Sequence, residues 1–221
     1  MIMVIVDFFA GAGGELRRKD IEALGHKYIT FDIDPKFKCD FTSDIFDIEF
    51  INQEVDFVWA SPPCETWSVS SIGHHWNKDN TPKTKEAIHG LNMMRHLIRL
   101  LNTRNVKWVI ENPRGKLRKM PFMQEFRRKT VTYCKYGETR MKPTDLWIHG
   151  FDWQPRPICK NGDPCHVSAP RGSRTGTQGY GTYADRSVVP LQLWLEILDA
   201  AENSAPSVFF VEPKQLDFLE T

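Results

Sequence analysis

Asp56-Phe-Val-Trp-Ala-Ser-Pro-Pro-Cys64-Glu-Thr-Trp-Ser68 is the stretch on which the fold turns. Phe57, Val58 and Trp59 make a continuous apolar run of strand type. It stops at Pro62 and Pro63, neither of which can donate a ladder hydrogen bond. The chain must leave its sheet there, and Cys64 is the first reactive side chain past the break. Open α/β sheets bind ligands in the crevice beyond the carboxyl ends of their strands. A thiol in that place is a candidate nucleophile, although a loop cysteine stays inert unless its surroundings favour the thiolate.

The design recurs downstream. Val106-Lys-Trp-Val-Ile-Glu111-Asn112-Pro113 is again a buried strand, a polar pair and a proline. A carboxylate at such a strand mouth is costly unless hydrogen-bonded or functional, and it would face the same crevice as Cys64. Upstream, Ile2 to Asp7 reads as a central parallel strand. It runs into Phe8-Phe9-Ala10-Gly11-Ala-Gly13-Gly14, with a helix expected from about Glu15 to Leu24. Strand, glycine turn and helix let backbone N–H groups approach a nucleotide-like ligand. His26 to Ile33 is the next strand, and Asp32 at its end lies about twenty residues past the glycines, where an acid can bind ribose hydroxyls. Asp32 is also well placed as a turn residue ahead of Pro35. Cys39 to Phe46 is a short strand or loop, with Asp44-Ile45 where an adenine contact could fall. Glu65 to Pro82 is long and polar. Lys83 to Asn102 is an amphipathic helix with Ile88, Leu91, Met94, Leu97 and Leu101 on one face. Val131 to Cys134 and Leu146 to Ile148 are further strands, and a helix entered through Pro190 closes the pattern over Val188 to Ala201.

The 221 residues, 41% hydrophobic and 26% charged, suit one globular domain, or one with a small appendage. No run is long enough for a membrane span or a secretory signal, so no membrane partner is expected. A reducing, cytoplasmic compartment is the expectation, where five cysteines are not disulfide staples. The net charge of +1 hides a basic run from Arg104 to Lys142, with twelve Lys or Arg against three Glu, which favours a polyanion. Within it, Arg114 and Lys116 follow the second strand mouth. From Phe151 to Tyr183 the texture turns to Pro, Gly, Arg and Thr with little periodicity. Cys159, Cys165 and His166, with Cys134 upstream, could close a tetrahedral zinc site, though the spacing is no standard finger and unpaired loop cysteines are the alternative. Arg171, Arg174, Thr175 and Gln178 are candidates for base or phosphate contacts, because Arg and Gln read base edges.

Taken together these motifs resemble the DNA cytosine-5 methyltransferase family from Asp7 to about Leu198. The likeness implies an α/β, Rossmann-like fold of the kind that uses S-adenosylmethionine, with a mostly parallel sheet, helices on both faces and a small irregular insert. The implied layout is a catalytic domain at 1–150, a short recognition insert at 151–184, a closing helix at 185–205 and a tail at 206–221. Asp7 to Gly14 looks like the family's cofactor turn, with Phe9 against the adenine. The implied cofactor set is Asp7, Phe9, Ala10, Gly11, Gly13, Gly14, Asp32, Ile33, Asp44, Ile45, Pro62, Ser187 and Val188. Ser61-Pro-Pro-Cys64 matches the nucleophile motif, and Glu111-Asn112 the Glu-Asn motif. Arg140-Met-Lys142-Pro-Thr144 stands in for Gln-x-Arg-x-Arg, so either Arg140 or Lys142 would take the basic role. Glu65 replaces a usual Gln and Pro113 a usual Val. The insert is far smaller than in typical members, as in compact phage-type ones.

The resemblance further implies the chemistry. Cytosine C5 is a poor nucleophile, and a thiolate adding to C6 makes it enamine-like. Cys64 would be that thiolate and Glu111 would hold the N3 and amino edge. A stacked base is out of reach, so it must be flipped from double-stranded DNA. Ser68, Ser70, His75 and Trp76, in the loop beyond Cys64, would close over it, with Trp76 or a serine filling the vacancy. A monomer with short sequence specificity is expected. Three rivals stay open: methylation of an exocyclic amine, cytosine methylation of RNA or nucleotide, and a catalytically dead nucleic-acid binder. Cys64 in the fourth position of Ser-Pro-Pro-Cys speaks against the first, and intact Cys64 and Glu111 against the last.

Overall fold

In the computed structural model, which describes residues 2–49, 51–52, 54–103, 106–160, 162–167 and 187–204, the chain builds one seven-stranded sheet. The strands are Val4–Phe8 (β1), Lys27–Asp32 (β2), Phe41–Thr42 (β3), Phe57–Ala60 (β4), Lys107–Pro113 (β5), Arg127–Thr132 (β6) and Pro143–His149 (β7). Their order is β3-β2-β1-β4-β5-β7-β6. The first five run parallel, and β7 lies antiparallel between β5 and β6. This is the Rossmann-like α/β architecture, and the strand order reverses between β1 and β4, the place where such sheets bind ligands.

Among the described residues four α-helices accompany the sheet: Gly11–Ala23 (α1), the single turn Ile72–His75 (α2), Lys85–Asn102 (α3) and Leu191–Asn203 (α4). The strand pleat explains why β4 is apolar at every position. Val58 and Ala60 face a core shared with Leu91, Met94 and Leu97 of α3, while Phe57 and Trp59 face one shared with Ile21 of α1 and Trp194 of α4. Trp59 stacks on Trp194 at 4.3 Å. Within α3 the buried stripe runs through Ala87 rather than the expected Ile88, which is 47% exposed. No helix among the described residues is long and apolar enough to cross a membrane.

The first helix begins a turn earlier than its glycines suggest. Gly13 and Gly14 are helical, although glycine costs roughly 1 kcal/mol there relative to alanine, while Gly11 at the first position takes a left-handed φ of +52° that suits glycine. A Cβ at Gly13 would stand 2.3 Å from the Arg17 guanidinium, so its absence lets Arg17 lie back against the helix. Arg17 there meets Asp7 at 2.6 Å, and Tyr28 donates its hydroxyl to the same carboxylate oxygen. Asp7 is fully buried. It therefore anchors the β1–α1 joint from below instead of meeting a cofactor, contrary to the sequence expectation. Arg17→Met would leave that carboxylate buried without its cation. We expect it to lower the unfolding free energy by about 3–5 kcal/mol in urea denaturation, against a negligible effect if the pair were only a surface bridge.

Candidate active site

Two strand exits meet at the carboxyl end of the sheet. Ala60 pairs with Ile110, so β4 and β5 deliver Cys64 and Glu111 to one edge. Three contacts bind the exits together. Asn112 donates its amide to the Pro62 carbonyl at 3.0 Å, and the Lys116 N–H donates to the Trp67 carbonyl at 2.7 Å. Between them Gly115 lies so close that a Cβ would stand 2.2 Å from the Trp67 oxygen. The Asn of Glu-Asn thus holds the Pro-Pro backbone, and the glycine is required by approach of one backbone to another.

Glu111 is 4% exposed and accepts the Tyr133 hydroxyl at 2.7 Å. Burial beside that carboxylate pushes the Tyr133 phenol well above its ordinary value. Burial also raises the Cys64 thiol; the Lys142 ammonium opposes the rise, and the Glu111 and Glu65 carboxylates add to it. Lys142 sits 4.8 Å over the Tyr133 ring. The buried Lys142 and Glu111 thus both act on the half-buried Cys64 thiol, in opposite directions. Arg140, the other candidate, is ion-paired to Glu138. The tight turn from the Lys142 N–H to the Arg140 carbonyl separates the two cations.

A cavity of about 640 Å³ adjoins this group. Of the expected cofactor residues, Phe9, Asp32, Ile33, Asp44 and Ile45 line it, whereas Asp7, Ala10, Gly11, Gly13, Gly14, Pro62, Ser187 and Val188 do not. Phe9 has a φ of +60°, a left-handed conformation that a phenylalanine adopts only under constraint. Asp32 accepts the Gly11 N–H at 2.9 Å and the Asp34 N–H at 2.9 Å, which fixes its carboxylate at the cavity wall. Pro63, Glu65 and Thr66 also line the cavity, so the residues flanking Cys64 form part of its wall. Another wall was missed from sequence: Glu86, His89, Gly90 and Met93 of α3. Their i, i+3, i+4, i+7 spacing is the helical-face signal that could have found it.

The expected nucleic-acid residues divide. Ser70 and Arg114 are exposed and Ser68 half-buried beside the Cys64 loop, where the Ser68 N–H donates to the Cys64 carbonyl at 3.0 Å. His75 is bonded to Thr84 at 2.7 Å. Trp76 is a correction: it is 2% exposed, stacks on Trp67 at 4.7 Å and donates its indole N–H to the Thr66 carbonyl. It anchors the loop to the core and is in no position to fill a vacated base stack. Lys116 is likewise buried, its ammonium on Asn80 at 2.7 Å. Arg171, Arg174, Thr175 and Gln178 lie outside the described residues. Cys134, Cys159, Cys165 and His166 do converge, their ligand atoms all within 4.8 Å of one another.

No protein-family model matches the chain. A protein of Frog virus 3 (isolate Goorha), described as a probable DNA (cytosine-5)-methyltransferase, is 26% identical over 220 residues, which covers 89% of this chain and 99% of that protein. Among solved structures, the methyltransferase EhMeth of Entamoeba histolytica superposes with a TM-score of 0.50 at 16% identity, over 72% of this chain. This chain spans 57% of the length of that structure, and the likeness is one of fold.

Gly115→Ala should cost about 1–3 kcal/mol of stability, the usual penalty of forcing an extra methyl into packed surroundings, read from the shift in urea midpoint. The charges around Cys64 set a second expectation. Only the thiolate alkylates, so iodoacetamide labelling of Cys64, followed by peptide mass, should rise with pH along a limb displaced above that of a free thiol. Lys142→Met should displace the limb further up, and Glu65→Gln should bring it down. A limb that neither substitution moves would separate these residues from the thiol.

Proposed function

We propose that the chain is a DNA (cytosine-5)-methyltransferase, like the 26%-identical viral relative, and that it transfers a methyl group from S-adenosylmethionine to C5 of cytosine in double-stranded DNA. The observation that carries this reading is the group of half-buried Cys64 with buried Glu111 and Lys142, beside a cavity whose wall includes the neighbours of Cys64. The cavity suits the proposed donor. Phe9 offers an aromatic face, Asp32 and Asp44 carboxylates for hydroxyl or amino groups, and the volume is in the range of cofactor clefts. Bound there, S-adenosylmethionine would supply an electrophilic methyl group.

The chain's own residues do the rest. Cys64 adds to C6 of the base, and the burial that holds its proton on at rest also makes the thiolate a strong nucleophile once formed. Lys142 is the cation that favours that thiolate, and in this reading it also faces the O2 side of the ring. Glu111, with one oxygen taken by Tyr133, turns the other to the N3 and amino edge, where charge changes as C6 is attacked. The tyrosine bond fixes the carboxylate before substrate arrives, so little reorganisation is needed at that moment. Elimination of Cys64 follows loss of the C5 proton. Because Cys64 is half-buried and Glu111 and Lys142 are buried, a paired base must leave its stack to reach them.

Residues 1–150 act in this reading as the catalytic domain, 151–184 as a brief recognition insert and 185–205 as the return to the sheet. The exposed Arg114 and Ser70 at the cleft rim are suited to phosphate contacts. Cys64→Ala is expected to abolish transfer of labelled methyl groups to DNA while leaving cofactor affinity nearly unchanged. The wild type should form a denaturation-resistant adduct with a duplex carrying 5-fluorocytosine at many sequence contexts, because fluorine cannot leave C5 as the proton does. An adduct formed with RNA but not DNA would move the activity to RNA. Methyl transfer without any adduct would remove Cys64 as nucleophile.

A further inference from the structure

Beyond the methyl-transfer cleft, one cluster of chemistry-bearing side chains is left without a role. Cys134 lies in the turn after β6, while Cys159, Cys165 and His166 come from the segment that follows β7. Cys134, Cys159 and His166 are buried and Cys165 is half-buried. The Cys165 sulfur stands 3.3 Å from that of Cys159 and 3.7 Å from that of Cys134, and the His166 Nδ1 is 3.3 Å from the Cys159 sulfur and 3.9 Å from the Cys165 sulfur. These are not bonding distances for a disulfide, whose sulfurs lie about 2.05 Å apart. They surround the edge length of a tetrahedron about zinc. Zinc–sulfur bonds of about 2.3 Å put two thiolates roughly 3.8 Å apart, and a thiolate and an imidazole nitrogen roughly 3.5 Å apart.

We propose that Cys134, Cys159, Cys165 and His166 bind one structural zinc ion that fastens the segment after β7 to the turn carrying Tyr133. Four protein ligands close the coordination shell, which suits a structural site and leaves no open position for a reacting water. Three thiolates and a neutral imidazole around a divalent ion carry one net negative charge.

The surroundings explain why a metal is useful here. Trp153 to Val167 contains no regular helix or strand among its described residues, and a segment of that length builds too little core to hold itself. It is already aimed at the same turn by backbone contacts. The Cys159 N–H donates to the Thr132 hydroxyl at 3.0 Å, and the Val167 N–H donates to the Thr139 carbonyl at 2.9 Å. Cys134 directly follows Tyr133, whose hydroxyl holds Glu111. The metal therefore braces, from outside the cleft, the residue that orients the carboxylate within it, and Cys134 is a positioning residue in that sense. The ion itself stands apart from the methyl-transfer reading; only its effect on turnover rests on that reading.

The test uses the full chain, purified under reducing conditions and dialysed against metal-free buffer, with zinc measured by mass spectrometry. One zinc per chain is expected, and it should persist in Cys64→Ala, so a failure of the catalytic assignment would leave the metal result standing. The paired change Cys159→Ser and Cys165→Ser should lose the ion. Should that variant fail to fold, wild type refolded with cobalt alone should show the thiolate charge-transfer and intense d–d bands of a tetrahedral sulfur-rich site. Chelation should lower the melting temperature and slow turnover at saturating DNA, with cofactor affinity unchanged. Folded wild type that holds no zinc and gives no cobalt bands, or an intact mass two hydrogens light from a Cys159–Cys165 disulfide, would overturn the proposal.

Discussion

Contact between two backbones is the constraint on which the site depends. The exits of β4 and β5 carry a thiol and a carboxylate, groups that would drift apart if each loop were anchored only to its own strand. Gly115 pressed against the Trp67 carbonyl, the Lys116 N–H on that same oxygen and the Asn112 amide on Pro62 make the two loops one piece. The prolines contribute from the other direction, since they end the ladder and free the backbone groups that these contacts then use. The Trp67–Trp76 stack extends the arrangement outward and fastens the long polar loop to the α3 side of the core.

Within that frame the electrostatics hold the thiol in its protonated form at rest. Cys64 is surrounded by two carboxylates and one cation, and burial outweighs the cation, so the resting thiol keeps its proton. Glu65 is part of that balance, since its carboxylate adds to the rise. A protonated resting thiol resists adventitious oxidation and metal capture. In the proposed reaction the cost is that the thiol must lose its proton as the base enters.

How much of this was legible follows from the range of each interaction. The strands β1, β4 and β5 could be read because burial on both faces leaves a continuous apolar run, and prolines mark where β4 and β5 end. Cys64 and Glu111 came with them. Asp7 was misread because its carboxylate is set by Arg17 and Tyr28, partners fixed only by the α1–sheet packing. The start of α1 was misplaced because glycine disfavours helix locally, while at Gly13 the packing of Arg17 favours it. Trp76 looked like an exposed loop aromatic because nothing local announces its stack with Trp67. The choice between Arg140 and Lys142 rested on which way a tight turn points its side chains, a matter of backbone geometry that residue type does not carry.

The cavity wall on α3 shows a subtler limit. Glu86, His89, Gly90 and Met93 repeat at helical spacing, yet a half-polar stripe reads as solvent-facing unless something is known to stand opposite it. What stands opposite is the end of β2 and the turn after β3, with Asp32, Ile33 and Asp44, placed there by the parallel crossover connections. A helical face thus becomes a binding wall through the topology of the sheet, and sequence periodicity can name its residues without saying what they face. The Phe9 conformation closes the same argument. Its left-handed backbone is held because the Ala10 N–H donates to the Phe31 carbonyl and the Gly11 N–H to Asp32. The second strand therefore sets the shape of the turn that follows the first, and the cavity between them is formed before any ligand arrives.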